Sequence, residues 1–281
     1  MFYFPARRDT DRREEDAVSE PHLLVEKEGH IVTVTFNRSK SRNAFSLEMM
    51  ARMADAWQMI EADPEVRVAI MTGADGVFSA GADLKVMHSD QSDNPWHARF
   101  REDPDLHWKA LLRMRRLSKP LIAAVEGIAF GGGTEVLQGA DIRIAGQGSR
   151  FGVTEARWGL FPLGGSTVRL QRQISYTKAC EMLLMARPID AEEALKIGLI
   201  GRIVPDGEVL AEARKCAEVI ASNGPFAVQS ILRSIRETAD LPETEGLAKE
   251  LEIGWAVLKS KDAREGARAF AEKRPANFTG E

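Results

Sequence analysis

The feature that most constrains this chain is a run of three glycines, at positions 131–133, placed after an apolar segment and directly before Thr134 and Glu135. Consecutive glycines adopt backbone conformations that are closed to other residues and let a ligand approach the main chain. If a helix begins here, its first amide groups point outward at the positive end of the helix dipole. The sequence therefore predicts a turn that could stabilise an oxyanion, beside a carboxylate.

A second turn of small residues, positions 78–83 (FSAGAD), lies upstream of the glycine run. The amides of Ala82 in this turn and of Gly132 in the glycine run would form an oxyanion hole if they converged on one oxygen atom. Losing one donor from such a hole typically raises the reaction barrier by roughly 3–4 kcal/mol. Taken alone, each turn has a structural alternative, because glycine also permits tight packing between segments.

A second glutamate, Glu155, is followed closely by Arg157 and Trp158. Burial among aromatic and apolar neighbours would raise the pKa of its carboxyl group and make it a proton donor. Glu135, nearer the predicted helix dipole, would stay ionised more easily and act as a base. The alternative for Glu155 is a simple surface ion pair with Arg157.

The order of strand-like and helix-like segments predicts an α/β fold. Apolar, β-branched segments indicate strands at Leu23–Glu28, residues 31–37, residues 67–71, Leu121–Val125 and residues 142–145. Ser46 is the expected N-cap of a helix that follows the second strand. Beyond Val204 only helical segments remain, at residues 210–222, 226–238, 244–259 and 263–273.

Three regions follow from this pattern. Residues 1–20, in which arginines and acids alternate, are expected to form a disordered extension. Residues 21–204 would form the α/β core, and residues 205–281 a helical C-terminal region that docks on the core or on another subunit. The first segment has the features of neither a signal peptide nor a transit peptide, so a cytoplasmic location is expected.

Charge and motif content argue against several classes of function. A net charge of -4 gives no reason to expect nucleic-acid binding. No apolar run approaches the roughly 20 residues that cross a membrane as a helix. Nucleotide-binding glycine motifs, HExxH and CxxC are absent, so no metal site is expected. We expected surface or packing positions for the histidines, at positions 22, 30, 88, 97 and 107.

A polar connection, residues 86–105, precedes the glycine run and carries Trp96 and Phe100. Connections of this length often form a lid or a pocket wall. The aromatic residues Trp96, Phe100 and Trp108, with Trp158 beside the second glutamate, are therefore candidates for lining a substrate pocket. A surface loop without such a role is the alternative.

In this order the motifs resemble the enoyl-CoA hydratase/isomerase (crotonase) family, over about residues 23–279. The resemblance is distributed over Asn37 and Arg38 with Asn43 and Ala44, residues 78–85, residues 119–141, residues 151–169, and residues 270–274 with Phe278. It implies an α/β fold of ββα units wound into a spiral. It also implies a helical C-terminal region used for trimerisation, with trimers that often pair into hexamers.

The resemblance implies roles for single residues. The amides of Ala82 and Gly132 would hold the oxygen of a thioester, and Glu135 and Glu155 would be the catalytic carboxylates. Residues that would contact coenzyme A, the last two from the same or a neighbouring subunit, are Ala44, Ala82, Asp83, Leu84, Lys85, Phe270 and Lys273. No separate cofactor is expected, because coenzyme A is part of the substrate.

Both glutamates are present, and in the family this favours hydration of a 2-trans-enoyl-CoA to a 3-hydroxyacyl-CoA, as in the β-oxidation of fatty acids. Isomerases of the family often keep only the second glutamate, and non-catalytic relatives often lose both. A double-bond isomerase and a non-catalytic acyl-CoA-binding scaffold remain the alternatives. One position departs from the family pattern: Leu163 stands where glycine is common, beside the expected position of the water.

Overall fold

The computed structural model describes residues 20–84 and 94–281. The expected N-terminal extension therefore lies almost entirely outside the described residues, as does Lys85. The strands are β1 (Leu23–Glu28), β2 (Ile31–Phe36), β3 (Val68–Gly73), β4 (Leu121–Val125), β5 (Ile128–Phe130), β6 (Ile142–Gly146), β7 (Arg150–Gly152), β8 (Ile189–Asp190) and β9 (Arg202–Val204). The predicted strands match β1, β2, β3, β4 and β6 within two residues at each end.

The larger sheet has six strands in the order β1-β2-β3-β4-β6-β9. β1 pairs antiparallel with β2, and every other neighbouring pair is parallel. Strands β3 and β4 are buried almost from end to end and nearly free of charged residues. This composition is typical of parallel strands that are covered on both faces.

A second layer runs beside the larger sheet. It contains a smaller sheet of order β5-β7-β8, and two isolated bridges, Phe45 to Ala82 and Ser79 to Ala129, extend it. After β3, β4 and β6 in turn, the chain leaves the larger sheet and enters this layer within a few residues. Successive turns are thereby stacked in a spiral, which places the turn at residues 79–82 against β5 and the glycine run.

The helices are α1 (Leu47–Ala62), α2 (His97–Glu102), α3 (Leu106–Ala110), α4 (Gly132–Leu137), α5 (Ser166–Gln173), α6 (Tyr176–Leu184), α7 (Ala191–Lys196), α8 (Val209–Ser222), α9 (Pro225–Thr238), α10 (Glu243–Leu258) and α11 (Lys261–Glu272). Ser46 caps α1 as predicted, because its hydroxyl oxygen accepts a hydrogen bond from the Met49 amide at 3.1 Å. Trp57 of α1 donates to the carbonyl oxygen of Ala110 at 2.9 Å, which ties α1 to α3.

The C-terminal region is helical from α8 to α11, within two residues of the predicted bounds. The first of these helices packs on the larger sheet through Val209, Ala213 and Ala217, which are fully buried. The chain end is held by Arg67, whose guanidinium donates to the carbonyl oxygens of Ala221 and Phe278. By contrast, α9 and α10 expose apolar side chains, namely Ile231, Ile235, Leu251, Trp255 and Leu258.

Candidate active site

A cavity of about 550 Å³ opens where the two turns predicted from sequence meet. One side, which we call the carboxylate wall, consists of Ala82, Gly132, Glu135, Glu155 and Gly164. A second group of lining residues, which we call the aromatic wall, consists of His97, Phe100, His107, Trp108 and Leu111. The remaining lining residues are Phe45, Leu47, Met50, Asp83, Leu160, Phe161 and Leu163. The lining is thus mostly apolar and contains three acidic residues, two of which belong to the carboxylate wall.

The amides of Ala82 and Gly132 lie next to each other. A methyl group on the Cα of Gly81 would lie 2.7 Å from the Gly132 nitrogen, and one on Gly132 would lie 3.6 Å from the Ala82 nitrogen. Gly81 has φ 84° and Gly131 has φ 52°, so both turns use the left-handed region that favours glycine. Within residues 20–84 and 94–281, neither amide donates a backbone hydrogen bond. Two unused donors side by side are suited to binding one oxyanion.

Glu135 lies in the first turn of α4 with only 4% of its surface exposed. Burial raises the pKa of this carboxyl group, and hydrogen bonds from the amides of residues 164–166 oppose the rise. The amide of Ser166 donates to Oε1 at 3.3 Å. A methyl group on Gly164 would lie 2.6 Å from Oε2, so the absence of a side chain at this position lets the loop contact the carboxylate.

Glu155 begins a 3₁₀ turn, Glu155–Trp158, and its carboxyl group lies over the glycine run. A methyl group on Gly131 would lie 3.2 Å from Oε1. Burial, followed by the negative charge of Glu135, raises the pKa of Glu155 to about 7. Its Oε2 atom is buried and has no hydrogen-bond partner among the described residues. The predicted rise in pKa is therefore present, whereas the alternative, an ion pair with Arg157, is absent from the described part of the chain.

Leu163, the departure from the family pattern, lines the cavity and is 53% exposed. The glycine that contacts the Glu135 carboxylate is the next residue, Gly164, so leucine at 163 leaves that contact intact. The carbonyl oxygen of Leu163 accepts a hydrogen bond of 2.6 Å from Nε of Arg113. The guanidinium of Arg113 also lies 5.2 Å above the ring of Trp108. Arg113 thus connects the loop at residue 163 to the aromatic wall.

The residues predicted to bind coenzyme A fall into two places. Ala82 and Asp83 line the cavity, and Arg38 forms an ion pair with Asp83 at 2.6 Å while donating to the carbonyl oxygen of Ala44. The neighbouring Leu84 is half-buried. The two C-terminal residues are elsewhere: Phe270 is 89% exposed and Lys273 follows the end of α11, so neither is among the described residues that line the cavity.

Two of the four aromatic candidates are found in the cavity lining. Phe100 and Trp108 line the cavity as predicted. Trp96 and Trp158 are not among the described residues of its lining. Trp96 precedes α2. The guanidinium of Arg52 lies over the indole ring of Trp96, and its Cζ atom is 5.1 Å from the ring centroid. Trp158 ends the 3₁₀ turn and is 68% exposed, because that turn leaves its last three residues at the surface and only its first residue half-buried.

Two lining residues were missed from sequence. His97 and His107 belong to the aromatic wall, whereas we expected surface or packing positions for them. A signal was present, since positions 97, 100, 107, 108 and 111 recur at the spacing of one helix face. In the structure two short helices, α2 and α3, carry these residues, so the spacing spans a break between helices.

The described part of the chain contains no group of three or more His, Cys, Asp or Glu side chains arranged to hold a metal ion. None of its helices is both long enough and apolar enough to cross a membrane.

The chain belongs to the enoyl-CoA hydratase/isomerase family, whose sequence profile matches residues 26–281. It is 53% identical over 262 residues to enoyl-CoA hydratase EchA19 of Mycobacterium tuberculosis, covering 92% of this chain and 97% of the relative. It is 35% identical over 260 residues to the mitochondrial enoyl-CoA hydratase of Pongo abelii, covering 92% and 87% of the two chains.

Solved structures show the same fold. The crystal structure of an enoyl-CoA hydratase from Bacillus anthracis superposes with a TM-score of 0.85 at 34% identity, covering 92% of this chain and all of the other. An enoyl-CoA hydratase from Mycobacterium tuberculosis H37Rv gives a TM-score of 0.83 at 36% identity, covering 93% and 100%. The predicted family and the α/β spiral fold are confirmed.

Proposed function

We propose that this chain is a hydro-lyase that adds water to a 2-trans-enoyl-CoA and forms a 3-hydroxyacyl-CoA. The observation that carries the proposal is the meeting of Glu135 and Glu155 in one cavity, beside the amides of Ala82 and Gly132. The names of the most similar relatives support the same reaction. Metal ions and separate cofactors have no part in the proposed mechanism.

The two amides would bind the thioester carbonyl oxygen of the substrate. Water adds to Cβ of the conjugated double bond, and the electron pair of that bond moves through Cα onto the carbonyl oxygen, giving an enolate. Hydrogen-bond donors that are already in place stabilise this developing charge without reorganisation, which is the usual advantage of an oxyanion hole. The neighbouring positive end of α4 acts in the same direction.

The two carboxyl groups would move the protons. Ionised Glu135, held by the amides of residues 164–166, accepts a proton from the attacking water. Protonated Glu155, whose pKa is raised to about 7, donates a proton to Cα as the enolate collapses to the thioester. One water has then been added to the substrate, and exchange with solvent returns a proton from Glu135 to Glu155.

Purified protein incubated with 2-enoyl-CoA thioesters of several lengths should lose the absorbance of the conjugated system. Glu135→Gln and Glu155→Gln should each lower kcat by at least ~10², the scale of a positioned acid or base. Glu192→Gln, at an exposed position of α7, is the matched control and should turn over normally. Hydration by both active-site variants at the control rate would reject the assigned roles.

Mass analysis of the product separates hydration from double-bond isomerisation. Hydration adds the mass of one water to the thioester, whereas isomerisation leaves the mass unchanged. We expect the added water, because both carboxyl groups are held at the cavity and isomerisation needs no attacking base for water. A product of unchanged mass would favour the isomerase.

Coenzyme A binding and assembly are further parts of the proposal. Ala44, Ala82, Asp83, Leu84 and Lys85 would contact the coenzyme A part of the substrate. Phe270 and Lys273 would reach it from a neighbouring subunit, which is consistent with their exposure in the single chain.

The apolar side chains that α9 and α10 expose support a homotrimer or a pair of trimers, since large exposed apolar patches commonly mark interfaces. Light scattering on the purified protein measures this directly, and a monomer would contradict it. A cytoplasmic location remains part of the proposal.

A further inference from the structure

The aromatic wall contains two polar side chains that the hydration mechanism does not use. His97 and His107 line the cavity, and their neighbours in its lining are largely aromatic or aliphatic, among them Phe100, Trp108 and Leu111. His107 packs edge-on against Phe100, with ring centroids 4.5 Å apart. An imidazole contributes less apolar surface than a phenyl or leucine side chain, so hydrocarbon contact alone does not account for two of them.

The ring nitrogens of the two imidazoles have no hydrogen-bond partner among the described residues. Among the described residues, no hydrogen bond or ion pair joins a ring nitrogen of His97 or His107 to another group, in contrast to His22 and His30. Nδ1 of His97 is enclosed without a partner. An imidazole carries at least one N–H in every protonation state and tautomer, so each of the two side chains can donate a hydrogen bond.

The charge of the cavity limits the groups that these donors could bind. Burial lowers the pKa of His107, which favours its neutral form. The described lining contains Asp83, Glu135 and Glu155 but neither lysine nor arginine. A carboxylate on the acyl chain would therefore meet acidic groups without a cation to balance it. A neutral oxygen, which accepts a hydrogen bond without bringing charge, fits these surroundings.

We propose that the preferred substrate carries a neutral oxygen substituent, a ketone or a hydroxyl group, on its acyl part at a distance from the thioester, bound by His97 and His107. The proposal rests on the function proposed above, because it assigns the acyl part of the thioester to the aromatic wall. A plain hydrocarbon chain would displace water from the two imidazoles without replacing its hydrogen bonds, and so would bind less well.

The test compares thioesters that differ only in the acyl chain. Saturated ten-carbon acyl-CoA esters with a keto oxygen at successive carbons from C5 outward are titrated calorimetrically against the all-carbon parent and the terminal carboxylate. Saturated esters cannot be hydrated, so their binding is measured independently of turnover. The corresponding 2-enoyl esters then give kcat/KM for the same series.

At least one keto ester should bind ~10-fold or more tightly than the parent, and the carboxylate should bind no better than the parent. His97→Phe and His107→Phe keep a ring of similar size, and one or both should reduce the ratio between keto and parent esters to near one. His97→Gln retains a donor and should restore part of the ratio. His30→Phe, at a surface histidine bonded to the Glu65 carbonyl oxygen, is the control and should leave the ratio unchanged.

Equal binding of every keto ester and the parent would overturn the proposal. A preference that survives in both phenylalanine variants, with their folding verified by thermal melting, would also overturn it. Hydration of the plain ester without discrimination leaves the hydratase intact and rejects only this inference. Discrimination in binding without hydration of any ester supports the oxygen-binding wall and counts against the hydratase.

Discussion

The two walls of the cavity are built in different ways. The carboxylate wall is fixed mainly by the backbone: a side chain at Gly81 or Gly164 would lie within 2.7 Å of neighbouring atoms, and one at Gly131 would crowd Glu155 at 3.2 Å. The aromatic wall is formed by side chains on two short helices, α2 and α3. The comparison indicates that the position of the reacting groups is set by the fold, whereas the shape of the acyl pocket is set by replaceable side chains.

The contacts that hold the two walls in place also differ. The carboxylate wall lies against β5 and β7. There the hydroxyl of Thr134 in α4 donates to the carbonyl oxygen of Gly152 and accepts a hydrogen bond from the amide of Gly152. The aromatic wall is attached to α1 by the hydrogen bond from Trp57 and by a surface ion pair between Arg99 and Asp55. Exposed ion pairs contribute about 0–1 kcal/mol. Substitutions should therefore have large effects on one wall and moderate effects on the other.

The largest effect is expected for Gly164→Ala. The added methyl group would lie 2.6 Å from Oε2 of Glu135, so the carboxylate or the loop must move. Misplacement of a catalytic group by about 1 Å can cost ~10²-fold in rate, and we expect a loss of kcat of that order. Gly246→Ala, in α10 with only ordinary contact at 3.6 Å, is the control. Normal kcat in Gly164→Ala would show that this contact does not position the carboxylate.

The second-largest effect is expected in the dependence of the rate on pH. Glu155 must be protonated to donate, and its pKa is about 7, so kcat/KM should fall about tenfold per unit at higher pH. Because Glu135 contributes to the shift, the apparent pKa belongs to the pair. Glu155→Gln should remove the alkaline limb and leave a low, flat residual rate. A wild-type profile that is level between about pH 6 and pH 9 would contradict this assignment.

A smaller effect concerns stability. The pKa of Glu155 is about 7 in the folded chain and close to 4.5 when exposed, so folding favours its protonated form. The associated stabilisation is complete below about pH 4.5 and is lost as pH rises through about 7. Chemical denaturation should show Glu155→Gln to be more stable than wild type at pH 8, by about 1–3 kcal/mol more than at pH 5. Equal differences at both pH values would refute the prediction.

The smallest effect is expected at the aromatic wall. Arg113→Ala removes the contact with Trp108 and the hydrogen bond to Leu163, and should change the preference among acyl lengths by about 2- to 10-fold. Arg115→Ala is the control. The Arg115 side chain is 83% exposed, and it forms a surface ion pair with Glu61 at an N–O distance of 3.5 Å. Ratios of kcat/KM across a series of chain lengths measure the change. A uniform loss at all lengths would instead place Arg113 among the supports of the carboxylates.

The bounds of strands and helices were predicted closely where the apolar pattern extends over many residues. The strands from β1 to β4 and the helices from α8 to α11 have apolar patterns over five or more residues, and their bounds were predicted closely. The strands β5, β7 and β8 have two or three residues each, too few for a period to be visible. They form only because the larger sheet brings their partners alongside.

In the candidate site too, the sequence predicted the features with a local pattern and missed those that depend on tertiary contacts. Glu135 and Glu155 were found because each lies beside glycine-rich backbone, whose unusual conformations the sequence reveals. The raised pKa of Glu155 followed from its apolar neighbours. The place of Trp96 could not be predicted, because it depends on how α2 is oriented against α1. That orientation is set by tertiary contacts such as Arg52 with Trp96.

The contacts of Gly131 and Gly164 with the two carboxyl groups have an evolutionary consequence. A side chain at Gly164 would lie 2.6 Å from Oε2 of Glu135, and one at Gly131 would lie 3.2 Å from Oε1 of Glu155, so a substitution at either position forces the neighbouring carboxyl group to move. We therefore expect lineages that keep both acids to keep both glycines. A new reaction on this scaffold would more readily arise by exchanging an acid for another side chain. Adaptation to a new acyl group would proceed separately, through substitutions in the aromatic wall on α2 and α3.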